Sequence, residues 1–426
     1  MAELADKGIF ERRESAVRSY CRNLDAVLAT GRGTVVWDVE GNEYLDFLAG
    51  AGALNYGHND PDMQRSLIDY ISGNGIAHGL DLHTDAKRAF LERFEEIVLA
   101  PRGMDYRVQF SGPTGANAME AALKLARKAT GRSNIVAFTR AFHGLSAGAL
   151  ALTGNSQLRG GPVNGLGNVS RLPYDGYLGG VVDSAELLAK MLADPSSGLD
   201  APAAIVLETV QGEGGLNTAS PRFLRRVAEL AADHGALLIV DDIQAGCGRT
   251  GSFFSFEPAG IAPDIVALSK SLSGYGLPMS VLLIRPELDV WEPGEHTGTF
   301  RGNAHAFVTA TATLEKFWTS DALMNDVARR SGLLTDRLTE IARRIPGAVL
   351  KGRGMMLGLE TQPALAARIV QECIRGNLII ERAGPRDEVV KLLAPLTTLD
   401  EQLERGMEIL SNSVDRALTS PFPISA

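Results

Sequence analysis

Two side chains of opposite charge follow apolar segments that have the character of strands. Lys270 ends the run 264–270 ahead of a glycine turn, and Asp241 ends the run 237–241. Open α/β sheets bind ligands at the carboxyl ends of their parallel strands, so we expect both side chains at one sheet edge. An amine that can form an imine, with a carboxylate that keeps a ring nitrogen protonated, is the minimum equipment for pyridoxal phosphate chemistry.

A third motif, residues 111–118, joins a predicted strand to a predicted helix. Its centre, Thr114-Gly115-Ala116, consists of small residues that let backbone N–H groups approach an anion. The helix dipole favours negative charge there, and the Thr114 hydroxyl adds a donor. The motif predicts a phosphate site, with a tight turn that binds nothing as the alternative.

Other side chains near these strand ends can enclose a flat ring. Phe142 follows the strand that ends near residue 138 and can stack on a ring. His143 can donate a hydrogen bond or fill space, and a core or interface role is the alternative for both. After Asp241, Ile243 can cover the other ring face and Gln244 can reach a phenolic oxygen.

For three charged residues, a functional role is weighed against an ordinary surface position. Glu213, in the glycine loop 211–215, is predicted as a switchable carboxylate of a substrate pocket, against a surface loop. Arg301, in the turn 297–303, is a candidate carboxylate binder because its guanidinium forks to two oxygens, against a surface arginine. For Asp242 the alternative is a solvated acidic turn.

The elements that must position these residues alternate strand with helix. Apolar strands are predicted near 107–110, 134–138, 203–207 and 237–241, with helices between them. Ser220 and Pro221 mark the start of one helix. This order predicts an α/β fold with a mostly parallel sheet, and the segment 155–180 is predicted to be an ordered loop.

We predict three parts along the chain. Residues 1–60 form an N-terminal segment that packs with the small lobe, 61–322 a large cofactor-binding domain, and 323–426 a small α+β domain. In the last part we expect a long helix to residue 344, a strand at 350–360 and a final helix from residue 400.

Composition narrows the function classes. The 426 residues are 45% hydrophobic and carry a net charge of −9 without a basic stripe, which disfavours nucleic acid and anionic membrane as partners. Residues 1–7 are too acidic for a secretory signal, and no apolar run approaches the ~20 residues of a membrane span. Three scattered cysteines form neither a disulfide framework nor a metal site. A cytoplasmic location is expected.

Taken together, these motifs resemble class III aminotransferases of pyridoxal-phosphate fold type I, from about Glu11 to Ala417. The most specific stretch is 239–251, with Lys270 placed 19 residues after Gly251. Additional stretches resemble the diaminobutyrate–2-oxoglutarate aminotransferases: 49–59, 78–81, 172–176, 269–280 and 294–303.

The resemblance implies a homodimer, or a dimer of dimers, with active sites shared between subunits. It also implies a role for each cofactor contact: Lys270 binds the aldehyde, Asp241 pairs with the pyridinium, Phe142 stacks on the ring, Gln244 lies near the phenolic oxygen, Gly115 and Ala116 bind the phosphate, and Thr299 binds the neighbouring subunit's phosphate.

The chain departs from the broad family at several positions. Lys391 stands where an arginine is usual, as in the diaminobutyrate subgroup, and we hypothesise a Glu213–Lys391 pair. Leu145 replaces the arginine of relatives that act on γ-aminobutyrate, Asn117 replaces a glutamate, and the loop 160–167 is altered. The substrate carboxylate has Arg301, Lys391 and Arg22 as candidate binders, and Tyr56 is a further tentative substrate contact.

The implied reaction is glutamate plus aspartate 4-semialdehyde giving 2-oxoglutarate plus 2,4-diaminobutyrate, or its reverse. The alternatives are transamination of another ω- or β-amino acid, an aminomutase, and a non-catalytic binding protein on the same scaffold. Ectoine, siderophore and peptide antibiotic synthesis all need diaminobutyrate, so the pathway stays open.

Overall fold

The computed structural model describes residues 7–160 and 166–419. Its strands, in chain order, are β1 (Leu28–Arg32), β2 (Val35–Asp38), β3 (Glu43–Asp46), β4 (Arg107–Gly112), β5 (Ile135–Phe138), β6 (Val169–Leu172), β7 (Ala204–Leu207), β8 (Val210–Gln211), β9 (Asn217–Thr218), β10 (Leu237–Asp241), β11 (Ile265–Leu268), β12 (Ser280–Ile284), β13 (Val349–Arg353), β14 (Met356–Glu360), β15 (Leu378–Ile379), β16 (Glu381–Ala383) and β17 (Val389–Leu392).

The helices are α1 (Gly8–Arg13), α2 (Ala49–Gly52), α3 (Pro61–Ser72), α4 (Asp85–Phe94), α5 (Gly115–Thr130), α6 (Ala147–Leu152), α7 (Ser156–Arg159), α8 (Ser184–Ala193), α9 (Pro221–Asp233), α10 (Ala304–Phe317), α11 (Ala322–Ala342), α12 (Pro363–Arg375) and α13 (Asp400–Thr419). A 3-10 segment, Lys270–Ser273, follows β11. Within the described residues, none of the helices is long and apolar enough to cross a membrane.

A seven-stranded sheet carries the predicted site residues. Its order is β4-β12-β11-β10-β7-β5-β6, and every neighbouring pair is parallel except the two pairs that β12 forms. Strands β5, β7, β11 and β12 are buried along their whole length, as expected for a sheet covered by helices on both faces. The predicted α/β fold of type I with a mostly parallel sheet is confirmed.

Each face of this sheet has its own apolar layer. On one face, aromatic side chains including Phe90, Phe138 and Phe223 pack with the strands. On the other, α5 contributes alanines and Leu123, whose small volume lets the helix lie close to the sheet. A third cluster forms between the N-terminal strands and the helices α11, α12 and α13.

The N-terminal strands join the C-terminal part of the chain. Strand β3 pairs with β15 in parallel, so β1, β2, β3 and β15 form one sheet. The strand expected over 350–360 is two antiparallel strands, because Gly354 takes a left-handed φ of 65° between β13 and β14. The domain boundaries at residues 60 and 322 stay a prediction.

The segment 155–180 is more regular than predicted. It contains α7 and the edge strand β6, which pairs in parallel with β5. The prediction of a loop was wrong here because three of the four β6 residues are at least partly exposed, so the strand lacks a continuous apolar run. Part of the altered loop, residues 161–165, lies outside the described residues, as do residues 1–6 and 420–426.

The helix before β10 begins and ends where the sequence predicts. Ser220 Oγ accepts a hydrogen bond from the Phe223 N–H at 3.2 Å, and Pro221 occupies the first helical position. Gly235, with φ of 61°, then reverses the chain into β10. These local signals fix where the strand starts, and so place Asp241 at its end.

Candidate active site

A cavity of about 500 Å³ opens at the carboxyl ends of the parallel strands. It brings together side chains that are distant in the sequence but were predicted to converge. The predicted residues that line it are Thr114, Gly115, Ala116, Phe142, His143, Glu213, Asp241, Ile243, Gln244 and Lys270.

Lys270 enters the cavity from a constrained backbone. Strand β11 ends at Leu268, and Lys270 takes a left-handed φ of 49° at the start of the 3-10 segment. Such a conformation in a non-glycine residue costs free energy and persists where the surrounding structure enforces it. Burial lowers the pKa of the Lys270 amine, which raises the fraction of the nucleophilic neutral form.

A left-handed turn holds the lysine amine. The four residues of α2 all have positive φ, between 47° at Ala49 and 84° at Gly52. Its Ala51 carbonyl accepts hydrogen bonds from Lys270 Nζ at 2.8 Å and from Gln244 Nε2 at 2.9 Å. Left-handed alanines cost about 1–2 kcal/mol each, so this turn is a strained element at the reactive amine.

Asp241 is held by two donors. His143 Nδ1 lies 2.7 Å from one carboxylate oxygen, and the Ile243 N–H donates to the other at 3.1 Å. Burial disfavours the charged form of His143, but the hydrogen bond and charge of Asp241 outweigh this and raise the His143 pKa. The structure therefore places His143 behind Asp241, where it orients the carboxylate.

The neighbouring Asp242 has a different environment. It is 1% exposed, so the alternative of a solvated turn is wrong. Its oxygens accept hydrogen bonds from the Ser255 N–H, at 3.0 Å, and from the Ser255 hydroxyl. Burial raises the pKa of Asp242 to about 7, and the side chain is not part of the cavity wall.

The predicted phosphate motif begins helix α5. Asn117 Oδ1 accepts hydrogen bonds from the Thr114 hydroxyl at 2.9 Å and from the Thr114 N–H at 3.3 Å. A Cβ added to Gly115 would lie 2.7 Å from Ile243 Cδ1, so only glycine lets the helix start approach this side chain. The first N–H groups of α5 remain available to an anion.

Glu208 is a site residue that the sequence reasoning missed. Its two oxygens accept hydrogen bonds from the Phe142 and Gly212 N–H groups, both at 3.0 Å. Burial raises the pKa of this carboxyl. It joins the loops that carry Phe142 and Glu213, and its position directly after the apolar strand β7 is the same signal that marked Asp241.

A buried ion cluster lies on the C-terminal side of the cavity. Lys391 Nζ is 2.9 Å from Glu213 Oε1 and 3.0 Å from Glu381 Oε1, and the residue is 0% exposed. Burial disfavours the charged amine, but the two carboxylates outweigh it and raise the Lys391 pKa. The geometry has the hypothesised Glu213–Lys391 contact, and Glu381 is an acid that the sequence reasoning did not identify.

Besides Lys391, four predicted contacts lie away from this cavity wall. Tyr56 is buried, where its hydroxyl accepts from Trp318 Nε1 at 2.8 Å. Arg22 donates to the Ala16 and Arg18 carbonyls within its own segment. Arg301 lines a different cavity, and its turn also carries Thr299, which was assigned to the neighbouring subunit's site.

Pyridoxal phosphate fits this set of residues. The cavity joins an amine and a carboxylate at one sheet edge, places Phe142 and Ile243 at its walls, and ends at a helix N-terminus. His143 Nε2 is a buried nitrogen without a hydrogen-bond partner among the described residues, so it is free for a bound group. When bound, the cofactor supplies an electron sink for the substrate's breaking C–H bond.

Comparisons with known proteins agree with this geometry. The family model for aminotransferase class-III matches residues 17–414. A diaminobutyrate–2-oxoglutarate transaminase of Bordetella parapertussis is 53% identical over 98% of this chain and 97% of its own length. The transaminase of the same name from Vibrio parahaemolyticus is 52% identical, over 97% of this chain and 99% of its own.

Solved structures show the same fold. An ornithine aminotransferase of Toxoplasma gondii, with pyridoxal phosphate at partial occupancy in its active site, is 27% identical and superposes with a TM-score of 0.85. The match covers 98% of this chain and 96% of that one. The chain therefore belongs to the class III aminotransferase family and is a pyridoxal-phosphate-dependent aminotransferase of fold type I.

Proposed function

We propose that this enzyme transfers an amino group between glutamate and aspartate 4-semialdehyde, interconverting them with 2-oxoglutarate and 2,4-diaminobutyrate. The observation that carries the proposal is the 53% identity, over 98% of the chain, with a transaminase named for these substrates. Leu145 at the cavity wall and Lys391, which contacts Glu213 of that wall, support it, because both depart from the broad family where the substrate is expected to bind.

The roles of the residues follow from their surroundings. Asp241, oriented by His143, would hold the ring nitrogen of a bound cofactor protonated. Lys270, whose lowered pKa favours the neutral amine, would act as the general base that takes a proton from the substrate's reacting carbon and as the general acid that gives it back when the cofactor is bound. Phe142 and Ile243 line the cavity and would confine the ring of a bound cofactor between apolar walls.

The Glu213–Lys391 contact explains how one cavity accepts two substrates. Diaminobutyrate carries no carboxylate at its reacting end, and Glu213 then neutralises Lys391. Glutamate carries an α-carboxylate there, which competes with Glu213 for the lysine. Glu381 lies 3.0 Å from Lys391 and provides a second carboxylate to hold the amine when Glu213 is displaced.

A donor panel tests the substrate assignment. Purified holoenzyme is mixed with single amines, and the pyridoxal-to-pyridoxamine absorbance change reports each first half-reaction. We expect diaminobutyrate and glutamate to react fastest and 2-oxoglutarate to restore the original spectrum. Faster reaction with another ω- or β-amino acid would reject the proposal, and turnover without any keto acid would indicate an aminomutase.

We further propose a homodimer in the cytoplasm, supplying diaminobutyrate for ectoine synthesis. Exposed apolar side chains near the turn that carries Thr299 support an interface there, among them Leu82 at 63% and Phe300 at 67% exposure. Light scattering that gives a monomer mass for the active enzyme would reject the dimer, and deletion of the gene without loss of ectoine would reject the pathway.

A further inference from the structure

A second cavity, of about 430 Å³, adjoins the reactive one. The two share Phe142 and Glu213 as walls. Three arginines line the second cavity, namely Arg140, Arg171 and Arg386, whereas the reactive cavity has no arginine among its lining residues in the described chain. The positive charge suited to a substrate carboxylate therefore lies next to the reactive cavity.

These arginines differ from many others of the chain, which pair with carboxylates. Arg222 and Arg344, for example, lie 2.8 Å and 2.7 Å from aspartate oxygens. Among the described residues, no carboxylate lies within ion-pair distance of Arg140, Arg171 or Arg386, and Arg171 donates instead to a backbone carbonyl. A guanidinium without a carboxylate partner, facing a cavity, is ready to bind an anion in a forked contact.

Arg140 is positioned by its backbone. Its φ of 63° is left-handed. A Cβ on Gly214 would lie 2.2 Å from the Arg140 carbonyl oxygen, and a Cβ on Gly154 would lie 2.9 Å from the Arg140 nitrogen. The backbone is thus held between two glycines, and Arg140 Cζ lies 5.5 Å from the centre of the Tyr177 ring. A site held this way needs little rearrangement on binding.

Arg386 reaches the same cavity from the C-terminal lobe. The Gly384 N–H donates to the Glu213 carbonyl at 2.9 Å, which ties the segment carrying Arg386 to the loop carrying Glu213. Glu213 pairs with Lys391 rather than with either arginine. Arg140 and Arg386 therefore flank the entry from the second cavity into the reactive one.

We propose that this arginine-lined cavity binds the substrate carboxylate farthest from the reacting carbon, with Arg140 and Arg386 as its ligands. The proposal rests on the proposed function. In diaminobutyrate and in glutamate the same number of carbon–carbon bonds separates the reacting carbon from that carboxylate. One arginine site thus serves both substrates. It takes the role of the arginine that some relatives carry at the position of Leu145.

Matched amines with and without the carboxylate test this. Diaminobutyrate is paired with 1,3-diaminopropane, and glutamate with 2-aminobutyrate; each partner lacks only the distal carboxylate. First half-reaction rates are measured for the wild-type holoenzyme, Arg140→Met, Arg386→Met and Arg140→Lys, with Arg222→Met as the surface control. Cofactor absorbance of each variant verifies that the site is folded.

Arg140→Met removes a charged hydrogen bond to the substrate. We therefore expect the second-order rate constant of the first half-reaction to fall roughly 10- to 100-fold for both diaminobutyrate and glutamate. Arg386→Met is expected to act in the same direction, and Arg140→Lys to restore part of the loss. The partners without the distal carboxylate should change less than about threefold, as should every substrate with Arg222→Met.

Equal losses for both members of a pair would mean a structural role and overturn the proposal. So would unchanged rates, or a wild-type enzyme that does not prefer the carboxylated member. If the wild-type enzyme rejects diaminobutyrate altogether, the proposed function fails while the glutamate pair still decides the role of the arginines.

Discussion

The two sides of the reactive cavity bury charge in different ways. On the sheet side, Asp241 has His143 as its ionisable partner and a backbone N–H as its second donor. On the side of the C-terminal lobe, one cation, Lys391, contacts two carboxylates, Glu213 and Glu381. A carboxylate with a single ionic partner is fixed in place, whereas a cation with two acids can release one of them to a competing anion. The sheet side therefore suits the chemistry that is common to both half-reactions. The lobe side suits the binding of two different substrates in turn.

Removing the reactive amine of Lys270, on the sheet side of the cavity, is expected to have the largest effect on catalysis. Lys270→Ala should abolish turnover, because among the described residues no other lysine lines the cavity and a lost general base costs about 10²–10⁴-fold by itself. Steady-state transamination, with borohydride trapping of the cofactor on the protein, measures it. Lys190→Ala, an exposed lysine of α8, is the control, and retained transamination in Lys270→Ala would refute the assignment.

Removing the Lys391 cation, on the lobe side of the cavity, is expected to weaken substrate binding there. Lys391→Met keeps most of the volume but leaves the half-buried Glu213 and the buried Glu381 without their cation. We expect roughly 10- to 100-fold weaker apparent affinity for glutamate and a smaller change for diaminobutyrate. Half-reaction titrations with each substrate give both values.

Lys351→Met is the matched control for this variant, since Lys351 lies in the same C-terminal sheet but pairs with Glu360 at 3.4 Å. Unchanged affinity for both substrates in Lys391→Met would end the idea that this lysine exchanges partners. An equal loss for both would assign the lysine to binding without exchange.

The last expected effect is on stability rather than on catalysis, and it sharpens the sheet side of the comparison. The pKa of Asp242 is about 7 in the folded protein, above the usual value near 4 of an unfolded chain. Between these values the unfolded state has released the proton and the folded state has not, so stability falls as pH rises through this window, by about 4 kcal/mol. Asp242→Asn should flatten that fall.

Urea unfolding of the apoprotein at pH 5 and pH 8 measures the difference, with the exposed Asp69→Asn as control. A pH dependence as steep in Asp242→Asn as in the wild-type protein would show that other groups cause it. The cofactor is left out because its own binding changes with pH and adds to apparent stability.

Much of the fold, and of the part of the site expected to bind the cofactor, could be predicted from local sequence signals. Ser220 and Gly235 bounded α9, and the apolar runs before Asp241 and Lys270 marked two strands at one edge. The predictions that were wrong depended on distant partners. Edge strand β6 forms because β5 offers it a backbone ladder, and Asp242 is buried because Ser255 supplies its donors. The domain boundaries and the roles of the site residues remain predictions.

The sequence by itself determined the family, the cofactor and the two residues at the strand ends. Strand periodicity and residue type are properties of short stretches of sequence and do not depend on distant contacts. The tertiary structure decided which charges meet. Glu381 joins Lys391, Glu208 ties two loops, and Arg140 and Arg386 line one cavity, all across separations that no local pattern records. The physical reason is that burial and Coulomb interaction depend on distance in space, which only the packing of the sheet against the C-terminal lobe sets.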